Sequence, residues 1–202
     1  MESINKKLLE TINGKKAIIW DFDGVLCFLD WSYRKDINKL RNRLWQVLEK
    51  FDPKIREKIN GISKYSYKHT DYIVKRHGQK ALEKINQLYV EIESLILPTS
   101  IINDPLIYLI KNLDSDIEHY IWSNNQGLSI SKILEKTDIL DMFKTVVSRD
   151  RVTLAKPDVG GFKIIQSLTN IPKKDFLFVG DSENTDEIVA RKLNIDFFLY
   201  RL

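Results

Sequence analysis

The chain contains little cysteine, methionine and proline, and it has no long apolar run. Its 202 residues include one cysteine, two methionines and five prolines. The single thiol, Cys27, cannot form an intramolecular disulfide, which excludes a disulfide-held fold. No segment approaches the roughly eighteen apolar residues of a membrane span, and the first residues lack the apolar core of a secretion signal. We therefore expect a cytoplasmic protein that does not enter a membrane.

The composition is that of an ordinary globular protein, but its charge is unevenly distributed. Hydrophobic residues make up 43% and charged residues 30%, with no repeat or low-complexity tract. The length exceeds one average domain and is small for two, which favours a core with an inserted subdomain. Residues 28–97 carry 15 Lys+Arg against 9 Asp+Glu, whereas the rest carries 17 against 19. Such a basic insert could attract an anionic substrate, although its cations could also simply cover solvated helix faces.

One stretch near the N-terminus organises the rest of the chain. The apolar residues 17–20 predict a buried strand that ends in Asp21 and Asp23, with Gly24 directly behind them. Side chains alternate along a strand, so the two acids converge only if the chain bends, which Gly24 permits. Open α/β sheets bind ligands at the carboxyl ends of their strands. The pair could hold a hard cation or divide nucleophile and acid/base work, although a simple polar turn would also explain it.

Two different patterns follow this stretch. Apolar residues at helical spacing predict helices throughout residues 28–97, and from residue 98 onward strands alternate with helices. In that second part, Pro157 is predicted as a first helical residue and residues 183–193 as one helix. The predicted fold class is α/β, a doubly wound, Rossmann-like parallel sheet with an inserted all-helical cap subdomain. The core would comprise residues 1–27 and 98–202, and the cap residues 28–97.

Polar residues recur after the predicted strands, in an order that resembles a known family. Because the carboxyl ends of adjacent parallel strands share one edge, these residues can share a pocket. The four motifs resemble those of the haloacid dehalogenase (HAD) superfamily, and in particular its phosphatases with a C1-type helical cap. The resemblance extends from about residue 17 to the end of the chain. The motifs are Asp21-Phe-Asp-Gly-Val, Ile-Trp-Ser123-Asn, Lys156-Pro-Asp and Val-Gly-Asp181-Ser-Glu-Asn-Thr-Asp186.

The resemblance implies catalytic roles for the first three motifs. Asp21 would attack phosphorus, and Asp23 would act as general acid and then as general base. The transferred phosphoryl group would be bound by the side chains of Ser123 and Lys156 and by backbone amides, including those of Phe22, Gly24 and Asn124. Two of these residues also have a purely structural interpretation, Ser123 as a helix N-cap and Lys156 as a surface lysine.

The resemblance also implies a Mg²⁺ site. The ion would be held by the carboxylates of Asp21 and Asp181 and by the backbone carbonyl of Asp23. Asp186 would bind it directly or through water, or would support the ligands from outside. The alternative is that Asp181 and Asp186 are only acids at a helix N-terminus.

The resemblance therefore implies a Mg²⁺-dependent phosphomonoesterase that acts on a small phosphorylated metabolite through an aspartyl-phosphate, and we expect a monomer or homodimer. Dehalogenases of the superfamily lack an acid at the position of Asp23. A phosphoglucomutase-type phosphotransferase, a non-catalytic binding or regulatory protein, and a phosphatase of nucleic-acid ends remain alternatives, the last without a nucleic-acid-binding motif to support it. Candidate selectivity residues in the cap are Arg34, Arg41, Lys64, Lys68 and Arg76.

Other conspicuous side chains are interpreted as structural. Aromatic residues of the cap could line the mouth of the pocket but more often serve packing, and the three histidines lack the spacing of metal ligands. The aromatic residues are Trp31, Trp45, Tyr65 and Tyr67, and the histidines are His69, His77 and His119.

Overall fold

A computed structural model describes residues 2–31, 35–59 and 67–201. Arg34, Lys64 and Tyr65, which the sequence singled out, lie outside these ranges. The strands within them are, in chain order, Ala17–Trp20 (β1), Cys27–Phe28 (β2), Ile101–Ile102 (β3), Glu118–Trp122 (β4), Phe143–Val147 (β5), Phe176–Gly180 (β6) and Asp196–Leu199 (β7).

Helices account for most of the remaining described residues. They are Glu2–Ile12 (α1), Lys35–Phe51 (α2), Ile55–Lys58 (α3), Lys68–His77 (α4), Gln79–Ile96 (α5), Asp104–Lys111 (α6), Gly127–Lys136 (α7), Gly160–Gln166 (α8) and Ile188–Leu193 (α9). Short 3₁₀ turns lie at Leu97–Thr99, Leu140–Met142, Arg149–Arg151 and Lys173–Asp175. Among the helices the structure describes, none combines the length and the apolarity that crossing a membrane requires.

Five strands form a parallel sheet in the order β5-β4-β1-β6-β7. The central strand β1 pairs in register with both neighbours, so that Trp20 lies opposite Ile121 on one side and Val179 on the other. The carboxyl ends of β4, β1 and β6 therefore lie level at one edge. This sheet with helices between its strands confirms the predicted α/β class.

Both faces of β1 are buried, as its continuous apolar sequence predicts. Ile18 and Trp20 belong to the hydrophobic cluster on one face, and Ala17 and Ile19 to the cluster on the other. All four side chains are fully buried. The strand that carries the acidic turn is therefore held by packing on both sides.

The chain leaves β1 through the bend that Gly24 was expected to permit. Gly24 has a φ of +83°, a conformation that favours glycine over other residues. Its N–H donates to the carbonyl of Cys27 at 2.8 Å, and the N–H of Leu26 donates to that of Phe22 at 2.9 Å. The turn thereby brings the side chains of Asp21 and Asp23 towards the same edge of the sheet.

The helices α2 to α5 lie between two short strands that pair with each other. Strand β2 leads into this segment and β3 follows it, and the two form an antiparallel pair. Helices α2 and α4 both pack against α5. We propose that this helical segment is the cap of residues 28–97, joined to the sheet where its two connections run side by side.

One local prediction was wrong. Pro157 is not a first helical residue, because α8 begins at Gly160. The predicted helix of residues 183–193 is confirmed as one continuous helical segment, which starts with a π-helical turn, Glu183–Glu187, and continues as the α-helix α9. The wider turn lies next to β6 and contains Asp186.

Candidate active site

Three carboxylates converge at the edge where β1 and β6 end. Asp21 follows β1 directly, Asp181 follows β6, and Asp186 belongs to the π-helical turn behind it. One oxygen of each lies within 4.8 Å of the others. The structure thus brings together the three acids that the sequence proposed as side-chain metal ligands.

Lys156 is enclosed by this acidic cluster. Its Nζ lies 3.0 Å from Oδ1 of Asp21 and 2.6 Å from Oδ1 of Asp186, and it donates to the carbonyl of Trp122 at 2.9 Å. Only 3% of the residue is exposed, so Lys156 is not a surface lysine. Burial alone would lower its pKa, but the charges of Asp186 and Asp21 outweigh that effect and raise the pKa.

The acids suit a hard divalent cation. Burial and the neighbouring charge of Asp21 raise the pKa of Asp181 to about 6 and that of Asp186 to about 7. A divalent cation would relieve the repulsion between these carboxylates, and carboxylate oxygens are the ligands that Mg²⁺ prefers. A methyl group at Gly24 would lie 2.3 Å from Oδ2 of Asp181, so the backbone of the turn packs directly against this carboxylate. The donor set and the close packing both fit a Mg²⁺ site.

Asp23 stands apart from the carboxylate cluster. The N–H of Leu29 donates to its Oδ1 at 2.9 Å, and the indole N–H of Trp31 donates to its Oδ2. Burial, with a contribution from the charge of Asp21, raises the pKa of Asp23 to about 6. A carboxyl group with such a pKa can give and accept a proton near neutral pH.

Ser123 follows β4 and is buried beside the acids. Its hydroxyl donates to Oδ1 of Asn125 at 3.0 Å, and the N–H of Asn125 donates to Oγ at 3.3 Å. The next residue, Asn124, links this loop to Lys156, because its Oδ1 accepts the N–H of Lys156 at 2.8 Å. Helix α7 starts further along, with Gln126 at its N-cap position, so Ser123 is not that helix's N-cap.

Two of the backbone amides suggested as phosphate donors are already paired in this conformation. The N–H of Gly24 donates to the carbonyl of Cys27 at 2.8 Å, and that of Phe22 to Oδ1 of Asp21, also at 2.8 Å. Phosphate binding by Gly24 and Asn124 stays a prediction. If the amide of Gly24 takes part, the turn must first release it from Cys27.

A cavity of about 780 Å³ lies between the acidic edge and the helical segment. From α2 and α4 it is lined by Arg41 and Lys68, two of the candidate selectivity residues. Arg76 instead lies over the ring of Tyr72, with Cζ 3.5 Å from the ring centroid, and is not among the lining residues described. The aromatic side chains on the wall are Trp31, Tyr67 and Tyr89.

The histidines and Trp45 lie elsewhere. His69 stacks on Trp45, and His77 lies against Phe51. His119 is buried and accepts the indole N–H of Trp20. None of the three joins the carboxylate cluster described above.

Two residues near the site, Asn125 and Glu93, were given no role by the sequence analysis. Trp31 was among the aromatic residues that could line the mouth of the pocket, with packing as the more common role, and it does lie on the cavity wall. Glu93 did carry a signal, because it lies four residues after Tyr89 and three before Ile96, on the apolar stripe of α5. A charged residue on an apolar helix face calls for a buried partner.

Comparison with solved structures identifies the same fold in several bacterial proteins. A Lactobacillus plantarum protein proposed to be a phosphoglycolate phosphatase has a TM-score of 0.58 at 18% identity, over 92% of this chain and 86% of its own. The HAD-hydrolase YfnB of Bacillus subtilis, solved bound to magnesium, has a TM-score of 0.55 at 16% identity, over 92% and 86%. A HAD family enzyme of Bacteroides thetaiotaomicron has a TM-score of 0.57 at 18% identity, over 94% and 95%. Identities this low support the fold alone.

Comparison with curated proteins found no match. A family model, in contrast, covers nearly the whole chain. The model of haloacid dehalogenase-like hydrolases matches residues 18–200, which include all four motifs and the helical insert. The superfamily predicted from the motifs is thereby confirmed: the chain belongs to the haloacid dehalogenase-like hydrolase family.

Proposed function

We propose that the protein is a Mg²⁺-dependent phosphomonoester hydrolase that acts on a small phosphorylated metabolite through an aspartyl-phosphate on Asp21. One observation carries the proposal. Asp21, Asp181 and Asp186 converge at the end of the sheet, with the ammonium group of Lys156 buried between Asp21 and Asp186. Cationic groups beside a nucleophilic carboxylate are what attack on a phosphate dianion requires, since two anions must otherwise approach each other.

In the first step, an oxygen of Asp21 bonds to phosphorus while the bond from phosphorus to the ester oxygen breaks. Asp23 supplies a proton to the departing alcohol, for which its pKa of about 6 is suited. Lys156 and the Ser123 hydroxyl stabilise the charge on the phosphoryl oxygens. In the second step, Asp23 takes a proton from a water molecule that attacks phosphorus. The bond between phosphorus and Asp21 breaks, which releases inorganic phosphate and restores the Asp21 carboxylate.

A bound Mg²⁺ ion would neutralise charge on the phosphate and on the acids. It would be held by Asp21, Asp181 and the carbonyl of Asp23, and by Asp186 directly or through water. The small-metabolite class is supported by the cavity, which lies beside the proposed cap and is lined by Arg41 and Lys68. The L. plantarum relative proposed to be a phosphoglycolate phosphatase makes small phosphorylated acids the first compounds to test.

The test is phosphate release from a panel of phosphorylated metabolites, with Mg²⁺ or with EDTA. We expect metal-dependent release by the wild type, complete loss in Asp21→Asn, and a loss of about 10²- to 10⁴-fold in Asp23→Asn. Asp141→Asn, which alters an exposed acid in a 3₁₀ turn, serves as control and should keep full activity. Folded wild-type protein that released phosphate from none of the compounds would contradict the proposal.

A further inference from the structure

Glu93 is a buried carboxylate with no part in the proposed reaction. It lies on α5 and is 0% exposed. Its oxygens face the loop after β4, where the N–H of Gln126 lies 3.0 Å from one and 3.2 Å from the other. The side-chain Nδ2 of Asn125 donates to Oε1 at 3.4 Å. A residue of the helical insert thus accepts hydrogen bonds from the loop that carries Ser123.

These contacts also cap α7. Gln126 occupies the N-cap position of this helix but makes no capping hydrogen bond with its own side chain. Carboxylates from two other elements accept hydrogen bonds from the first backbone N–H groups instead. Glu93 accepts from the N–H of Gln126, and Oδ1 of Asp150 accepts from that of Gly127 at 2.8 Å. Backbone N–H groups at a helix N-terminus lack partners within the helix, so acceptor oxygens from other elements satisfy them. Glu93 therefore fixes the point at which the loop enters α7.

Asn125 connects Glu93 to Ser123. A carboxylate that accepts from Nδ2 sets the orientation of the Asn125 amide, so that Oδ1 points the other way. There it accepts a hydrogen bond from the hydroxyl of Ser123 at 3.0 Å, and the backbone N–H of Asn125 donates to Oγ at 3.3 Å. The position of the Ser123 hydroxyl thus depends on Glu93 through a single intervening side chain.

We propose that Glu93 is a positioning residue, which reaches from α5 through Asn125 to orient the Ser123 hydroxyl for the phosphoryl group. The inference rests on the proposed function, because orienting Ser123 affects turnover only if a phosphoryl group binds beside it. Before the phosphoryl group binds, the hydrogen bond to Oδ1 of Asn125 holds the Ser123 side chain in the rotamer from which its hydroxyl can reach that group. On binding, the hydroxyl donates to a phosphoryl oxygen from this rotamer, while the Asn125 N–H keeps Oγ in place. Because α5 belongs to the proposed cap, a displacement of the cap would be transmitted to Ser123 through the same hydrogen bonds.

The experiment compares Glu93→Ala with Glu93→Gln, using p-nitrophenyl phosphate and Mg²⁺. Alanine removes the acceptor, and we expect kcat to fall about ten-fold, as is common when the partner of an active-site group is lost, with a smaller change in KM. Glutamine keeps an acceptor oxygen for Asn125 and Gln126 and should retain most of the activity. Glu91→Ala is the matched control, because Glu91 lies on the same helix but pairs with Arg43 at the surface.

A second set of variants separates positioning from general damage to the fold. Asn125→Ala leaves the Glu93 contact with Gln126 but cuts the link to Ser123, so it should reproduce the loss in kcat. In a Ser123→Ala background, Glu93→Ala and Asn125→Ala should cause no further loss, because variants that act through one group are not additive. A further ten-fold loss in that background, or an Asn125→Ala variant with wild-type kcat, would overturn the proposal. Failure of the proposed function would instead appear as a wild type that releases no phosphate.

Discussion

The indole N–H of Trp31 donates to Oδ2 of Asp23, the carboxyl group proposed as general acid and base. The other oxygen of Asp23 accepts the N–H of Leu29, so both oxygens are held by residues of one short segment after β2. Asp23 is thereby fixed in orientation while its side chain stays apart from the three acids proposed as metal ligands. Trp31, which follows Asp23 by only eight positions, thus belongs to the candidate active site.

Trp31→Phe is predicted to lower kcat by roughly ten-fold. The substitution keeps the aromatic bulk and removes one hydrogen bond to a charged group, and such bonds are worth about 1.5 kcal/mol or more. Phosphate release at saturating substrate measures the effect. Trp45→Phe is the control, since Trp45 stacks on His69 away from the acids. An unchanged kcat in Trp31→Phe would mean that the indole contributes only packing.

Gly24→Ala is predicted to abolish activity, whereas Gly14→Ala should cost only stability. Both glycines have a positive φ, +83° and +79°, so alanine is strained at either position by about 1 kcal/mol. Only at Gly24 does the new methyl group meet Asp181, 2.3 Å from its Oδ2, whereas at Gly14 nothing lies within 4 Å. Thermal unfolding and phosphate release, measured on both variants, separate backbone strain from displacement of the carboxylate. Equal activities in the two would contradict the role of Asp181.

Three basic residues of the proposed cap, Arg41, Lys68 and Arg76, are candidate selectivity residues that can be compared with one another. Arg41→Ala and Lys68→Ala, at the cavity wall, are each predicted to lower kcat/KM for an anionic substrate by up to about five-fold. The effect should shrink with added salt, because ions screen exposed charges. Arg76→Ala removes a cation that lies over Tyr72 and should leave kcat/KM unchanged. If all three variants behaved alike, the effect would reflect the net charge of the cap rather than contact with substrate.

The convergence of the acids at the strand ends could be predicted from sequence because the topology of a parallel sheet constrains it strongly. An apolar run followed by Asp21, and another followed by Asp181, can be recognised without a structure, and parallel pairing then brings both to one edge. The apolar stripe of α5 was also recognisable, because its apolar residues recur at intervals of three and four over several helical turns.

The features that were missed have no such repeating pattern. Strands β2 and β3 are two residues long, too short for an alternation to be visible. The position of Pro157 is compatible with a helix start, but its loop is fixed by the contacts of Asn124 with Lys156. Glu93 was overlooked because a glutamate on a helix usually faces water, and only its place on the apolar stripe indicates otherwise. These contacts depend on which helix packs against which loop, and the local sequence does not specify that packing.

A buried histidine links the stability of the core to pH. His119 accepts the indole N–H of Trp20 at Nδ1, 3.1 Å away, so the ring is neutral in the folded protein. Burial lowers its pKa from 6.5 to about 4. Between these values the unfolded chain binds a proton that the folded chain does not. The stabilising contribution of neutral His119 is therefore fully present above pH 6.5 and is lost as the pH falls towards 4.

His119→Gln should remove this pH dependence, because the glutamine oxygen can still accept from Trp20 but does not titrate. The free energy of unfolding, from urea titrations at pH 7.5 and pH 4.5, is the quantity to compare. We predict that the advantage of wild type over the variant shrinks by about 2.5 kcal/mol between the two conditions. Buried acids such as Asp71, whose pKa burial raises to about 6, titrate in both proteins and cancel in the difference. A difference that stayed constant with pH would mean that His119 titrates alike in the folded and unfolded chains.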